Sequence, residues 1–166
     1  MIYTIGHGTR SLAELVQILK AAGVTMLVDV RHFPRSATNP QFNNLDRKKL
    51  GGIEYVHLPE LDGRRPGVPV AAAHNALEVD AFRNYAAYMD TSSFHRGVDR
   101  LIKLSRTHQV CIMCAETLWW QRHRRMISDF LVSKRIKVNH LGLHKSIPHH
   151  RWSIAKWTRG NLVYKK

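Results

Sequence analysis

The chain has 166 residues, enough for one domain with a real core and too few for two. Its 26 Lys and Arg against 12 Asp and Glu give a formal net charge of +14, which points to a polyanionic partner, since each cation set against a phosphate releases counterions. No stretch approaches the ~20 continuous apolar residues of a membrane span, and Met1 leads into a strand pattern instead of a leader, so a cytoplasmic location without membrane association is expected.

Ile2–Ile5 reads as a short buried strand ending in Gly6-His7-Gly8. Ser11-Leu-Ala-Glu14 has capping-box spacing, and Leu12, Leu15, Val16 and Leu19 give the helix behind it an apolar face that Gly23 ends. Thr25–Val30 is a second strand, running into Asp29-Val30-Arg31. A long connection, His32–Asn44, carries His32, Phe33, Arg35, two prolines and Phe42. After a basic helical turn at Asp46–Leu50 comes a third strand, Ile53–Leu58. A second long connection, Pro59–Glu78, carries Arg64 and Arg65. Ordered loops of this length tend to be functional, with disorder as the alternative.

Phe82, Tyr85, Ala86 and Met89 keep helical spacing, as do Phe94, Val98, Leu101 and Ile102, with cap candidates at Thr91-Ser92-Ser93 between them. Val110–Ala115 is a central strand ending in Cys114-Ala115-Glu116. The helix expected over Trp120–Lys134 buries Trp120, Ile127, Phe130 and Leu131, sets His123 and Arg124 beside that face, and turns Arg122, Arg125 and Asp129 outward. Ile136–Leu141 is the last strand. No acidic residue follows Asp129, and the tail from Gly142 reads as basic, aromatic and irregular. His140, His144, His149 and His150 fit no standard zinc spacing and are assigned to that basic tail.

Strands alternating with helices imply crossovers. The expected fold is α/β, a single domain with a mostly parallel, helix-flanked sheet of about five strands. Residues 1–141 form the catalytic-type domain, and 142–166 a tail packed on it or extending from it.

The carboxyl ends of parallel strands share one edge, where ligands bind. His7, Asp29, Arg31 and Glu116 should therefore meet, with His123 and Arg124 reaching the same crevice at a helix start that favours anions. Glu116 is the candidate acid or base, with helix capping or an Arg pairing as its plainer roles. Asp29 and Arg31, two apart on a strand end, face the same side. They form either a loop-ordering ion pair or an anion clamp in which Asp29 orients Arg31 or a water. Gly6 and Gly8 leave room for close approach of a ligand. No complete dinucleotide or phosphate loop follows, so no cofactor is expected. Cys111 and Cys114 lie on opposite faces of a strand and read as reduced core thiols, not a redox pair or zinc site. No metal is expected.

Taken together, Thr4-Ile5-Gly6-His7-Gly8, Asp29-Val30-Arg31 with Pro34, Phe42 and Ile53-Glu54-Tyr55, the Phe82–Met89 segment, and Cys114-Ala115-Glu116 with His123-Arg124 resemble the domain of unknown function 488 family. The resemblance keeps the motif order over nearly the whole chain. It implies a small α/β domain and these site positions, with no settled reaction. Members often carry a proline and a cysteine between the Cys-Ala-Glu and His-Arg stretches, where Trp119 and Arg122 stand here. A chemistry that used that cysteine is closed to this chain, while one built on the carboxylate, His and Arg survives.

These features suit an enzyme acting on nucleic acid, DNA ahead of RNA, with no obligate protein partner. Arg35, Arg64 and Arg65 would hold phosphates, and Phe33, Phe42, Tyr55, Trp119 and Trp120 would stack on or wedge bases. An Asp or Glu orienting water suits metal-independent hydrolysis of an N-glycosidic bond in a flipped, modified base, as in a DNA base-excision glycosylase. The alternatives are a non-catalytic nucleic-acid-binding module and a hydrolase of a small anionic metabolite.

Overall fold

The computed structural model describes residues 1–65, 74–121 and 123–166. Part of the second long connection, including Pro66 and Pro69, and Arg122 lie outside the described residues.

The chain runs β1 (Ile2–Gly6), α1 (Leu12–Ala21), β2 (Met26–Asp29), β3 (Glu54–His57), α2 (Asp80–Met89), α3 (Ser92–Leu104), β4 (Val110–Cys114), α4 (His123–Ser133), β5 (Val138–Leu141), β6 (Ser146–Pro148), β7 (Ala155–Thr158) and β8 (Asn161–Tyr164). The six-stranded sheet has the order β3-β2-β4-β1-β5-β6. Every pairing in it is parallel except β5 with β6. The α/β class and the mostly parallel sheet match the sequence expectation. The sheet has six strands where about five are expected, and β7 and β8 form a separate antiparallel hairpin. The tail is thus not irregular: β6, β7 and β8 all come from it.

Local chemistry explains the elements. Ser11 accepts from the Glu14 amide and Glu14 accepts from the Ser11 amide, so the capping box starts α1 as its spacing predicts. The Thr91 side chain accepts from the Phe94 amide and starts α3. α4 begins at His123, three residues later than expected, and Trp120 stands outside it, 45% exposed, not on a buried face.

The sheet is covered on both faces, as parallel strands require. One core joins Ile5, Leu27 and Met113 to Leu15 and Leu19 of α1, to Phe42 of the first long connection and to Leu50 of the turn before β3. The other joins Val28, Ile112 and Val138 to Tyr85, Phe94 and Phe130 of α2, α3 and α4, and to Leu162 and Tyr164 of β8. Consequently β1 sends its connection over one face, and its neighbour β4 sends its own over the opposite face. Where adjacent connections diverge, the strand ends leave a crevice. Gly6 pairs with Cys114 at its lip.

Candidate functional site

The crevice is a cleft of about 880 Å³. His7 from the end of β1, Arg31 beyond β2, Glu116 beyond β4 and His123 at the start of α4 all line it, with Arg35 and Arg64 on its overhanging loops. The strand ends thus bring together most of the residues that the sequence placed there.

Asp29 sits beneath Arg31, with no exposed surface. Its Oδ1 accepts from the Arg31 amide at 3.0 Å and from Nε at 2.9 Å. Its Oδ2 accepts from Arg31 Nη2 at 2.6 Å and from the Tyr55 hydroxyl at 2.8 Å. Those bonds occupy the carboxylate, so Asp29 fixes Arg31 and has no lone pair left to orient a water. The pair also orders the loop, since Arg31 reaches the Phe42 carbonyl, and an Asp29 that orients Arg31 is common to the ion-pair and the clamp readings. Tyr55 gives its hydroxyl to Asp29 and does not line the cleft. Burial, with the Asp29 charge second, raises its phenol above the ordinary value.

Arg31 Nη2 also donates to the Phe42 carbonyl at 3.0 Å, while Nη1 is buried without a hydrogen-bond partner. His7 Nδ1 donates to the Gly8 carbonyl at 2.9 Å, and its ring stacks on Phe42 with centroids 4.3 Å apart. Phe42 is fully buried, so it supports His7 and cannot wedge into a base stack. Desolvation lowers the His7 pKa, and the Arg31 charge adds to that. The imidazole is therefore neutral near pH 7, with its lone pair on Nε2, a buried atom without a partner.

At Gly6 and Gly8 the chain itself fills the space a side chain would take. A Cβ on Gly6 would stand 1.8 Å from the Glu116 carbonyl oxygen, and one on Gly8 2.4 Å from Thr117 Oγ1. Gly8 also holds φ at +53°. Their small size lets the ends of β1 and β4 close against each other, and that places Glu116 on the cleft wall. Gly63 does the same for His123, whose Nδ1 would lie 2.2 Å from a Cβ there. The His123 ring packs near Tyr85, with centroids 5.5 Å apart.

Other expected contacts fall elsewhere. Arg65 donates to Asp62, Pro59 and Glu60 and lies over the Tyr88 ring at 3.7 Å, which makes it a brace of its loop. Arg124 is buried, gives one bond to the Thr117 carbonyl and does not line the cleft. Trp119 stacks on His140, centroids 4.0 Å apart and nearly parallel, and Trp120 packs edge-on against Trp119. Neither lines the cleft. The cysteines are free and buried, and burial raises both thiols, as strand-core positions predict. No cluster of three potential metal ligands occurs among the described residues.

Sequence reasoning passed over Asp62, which accepts from His32 Nδ1 at 2.8 Å and from Arg65 and so ties the two long connections together at the cleft mouth. It also misplaced Asp129, expected on the outer face of α4. Asp129 is fully buried and accepts from His149 Nε2 at 2.9 Å, from the Trp152 amide at 2.9 Å and from the Tyr164 hydroxyl at 3.1 Å. His149 is bonded in turn to His140, and His140 to Thr4. His140 and His149 therefore belong to the core between the sheet and the tail, not to a solvated basic segment. Burial, with His149 and Arg124 nearby, lowers the His140 pKa to about 3. Arg125, also expected to point outward, lies over the Trp152 ring at 3.6 Å.

The family described as Domain of unknown function DUF488 matches residues 11–131, so the chain belongs to that family. The matched stretch starts after Gly6-His7-Gly8 and ends before the tail, so it is shorter than the resemblance suggested. No curated protein and no solved structure matches the chain.

Proposed function

We propose that this protein is a hydrolase acting on nucleic acid, and that it cleaves the N-glycosidic bond of a modified or damaged base turned out of DNA into the cleft. One observation carries the reading. A single cleft holds a buried guanidinium with a donor to spare, a half-buried carboxylate and two histidines, on a chain of net charge +14. The cleft volume of about 880 Å³ suits one nucleotide.

In this reading Arg31, held by Asp29, takes a phosphate of the extruded nucleotide. Arg35 and Arg64 guide the strand across the mouth, and the exposed ring of Phe33, which also lines the cleft, fills the gap left in the stack. Glu116 orients the attacking water and offsets the positive charge that develops on the sugar. His7, neutral and unprotonated at Nε2, and His123 are the groups at hand to accept and deliver protons. Asp29 is a positioning residue here.

Duplexes carrying one modified or damaged base each, internally or at a phosphorylated end, test the reading. After incubation, alkali should break the strand at an abasic site in at least one duplex, in the presence of a chelator. Strand cleavage without alkali that needs a divalent ion would replace it with metal-assisted phosphodiester hydrolysis. The nucleotide-sized cleft also supports a second reading, hydrolysis of a small anionic metabolite. Salt separates the two, because affinity for a polyanion falls steeply with ionic strength, with a slope of about −0.9 per phosphate contacted.

A further inference from the structure

We propose that the inner end of the cleft is a subsite for a phosphate that still carries a P–OH proton, with Arg31 Nη1 donating to a phosphoryl oxygen and His7 Nε2 accepting from the hydroxyl. The inference rests on the proposed function in taking this cleft as the substrate site. It narrows that reading to a base whose phosphate ends a strand or stands on a free nucleotide.

Arg31 and His7 each leave a valence unfilled. Asp29 and the Phe42 carbonyl engage Arg31 Nε and Nη2, and the side chain is 6% exposed, which leaves Nη1 buried and unpartnered. A guanidinium nitrogen can only donate. His7 presents the opposite valence. Its Nδ1 faces the Gly8 carbonyl, an oxygen that can only accept, so the ring hydrogen is on Nδ1 and Nε2 keeps its lone pair. That nitrogen is also buried without a partner. Both residues line one cleft, and the Arg31 charge is felt at the His7 ring. Arg65, Trp119, Arg124 and Arg125 also keep a buried unbonded nitrogen but do not line the cleft, whereas Arg31 and His7 do, with complementary valences that describe an occupant.

That occupant offers an acceptor to Arg31 and a donor to His7. A phosphodiester and a sulfate dianion are acceptors only, and each would leave the His7 lone pair facing an oxygen. A hydrogen phosphate, or the monoanion of a phosphate monoester, offers both. The Glu116 carboxylate on the same wall further disfavours a fully ionised anion, while Arg35 and Arg64 at the mouth favour a negative ligand. Two sources share this chemistry, the terminal phosphate of a strand and that of a mononucleotide.

Isothermal titration of the full chain at pH 7 with inorganic phosphate and with sulfate, at matched ionic strength, tests the subsite. Phosphate should bind at least about tenfold more tightly than sulfate, the penalty for an unmade bond to a buried group. Phosphate should also shift the Nε2 resonance of His7 in nitrogen-15 spectra of the unmutated protein, a readout that does not depend on a variant folding. Arg31→Gln should abolish phosphate binding. A 5′-phosphorylated oligonucleotide and a mononucleotide should each displace phosphate, and the tighter of the two names the source. A 5′-hydroxyl oligonucleotide should not displace it. Equal binding of phosphate and sulfate, binding of neither, or equal displacement by the 5′-hydroxyl strand would overturn the subsite. Base release is read separately. Phosphate binding with no base released from any duplex leaves the subsite standing and removes the glycosidic reaction, and the converse result removes the subsite alone.

Discussion

Asp29 and Asp129 are both buried carboxylates at 0% exposure, and they differ in what they hold. Asp129 accepts from His149, Trp152 and Tyr164, all in the tail, and so fastens the last strands to α4. Asp29 accepts from Arg31 and Tyr55, and the guanidinium it fixes keeps one nitrogen unbonded in a residue that lines the cleft. One carboxylate closes a piece of architecture. The other holds a charge in place at the cleft, where the proposed phosphate would meet it. Burial and pairing alone do not distinguish a structural carboxylate from one that serves a site; the distinction lies in whether its partner still has a bond to give.

Variants should separate the two roles. Asp29→Asn strips the charge that compensates the buried Arg31 and should cost about 3–5 kcal/mol in denaturant unfolding, as for other broken buried pairs. It should also abolish phosphate binding in whatever fraction stays folded. Asp129→Asn keeps one acceptor oxygen and should cost less, about 2–3 kcal/mol. It should loosen the tail, seen as faster amide exchange at Trp152 and Tyr164, and leave phosphate affinity unchanged. Loss of phosphate binding in Asp129→Asn would erase the contrast between the two aspartates.

Acid should act through His140. Its folded pKa of about 3 lies below the ordinary value of 6.5, so the unfolded chain binds the proton first as pH falls. Stability from this residue is complete above pH 6.5 and is lost as pH drops through that window toward 3. A fall of about 1 kcal/mol per pH unit is expected between pH 6 and 4, measured by denaturant titration. His7, also lowered, adds in the same direction. The smallest effect belongs to Tyr55→Phe, which removes one bond to Asp29 and should cost about 1 kcal/mol with little change in phosphate affinity.

The sheet was legible because buried parallel strands read as short apolar runs, and because Ser11 and Glu14 announce a helix through bonds that span three residues. The site was legible to the extent that strand ends share an edge. What escaped were partnerships made at long range. Nothing near Asp129 reveals that His149, Trp152 and Tyr164 lie 20 to 35 residues further along the chain and return to it. α4 buries Ile127, Phe130 and Leu131 as their spacing predicts, but the tail covers Asp129 on the side expected to meet solvent. The β7–β8 hairpin turns through Arg159 and Gly160, with φ of +50° and +85°, a left-handed pair more readily recognised when Asn or Asp precedes the glycine. The glycines of Gly6-His7-Gly8 suggested a ligand, whereas Gly6 admits the backbone at Glu116–Thr117 and Gly8 the Thr117 side chain, more than a hundred residues away.

Glu116 is where the account is most exposed. Replacing it with Gln changes a half-buried carboxylate on the cleft wall to a neutral group of the same shape. Side by side, the unmutated protein and Glu116→Gln should be compared for binding and single-turnover base release on whichever duplex yields an abasic site. DNA affinity should be unchanged and the rate lower by about 10²–10⁴-fold, the usual contribution of a positioned general base. Base release within a factor of two of the unmutated rate would contradict it.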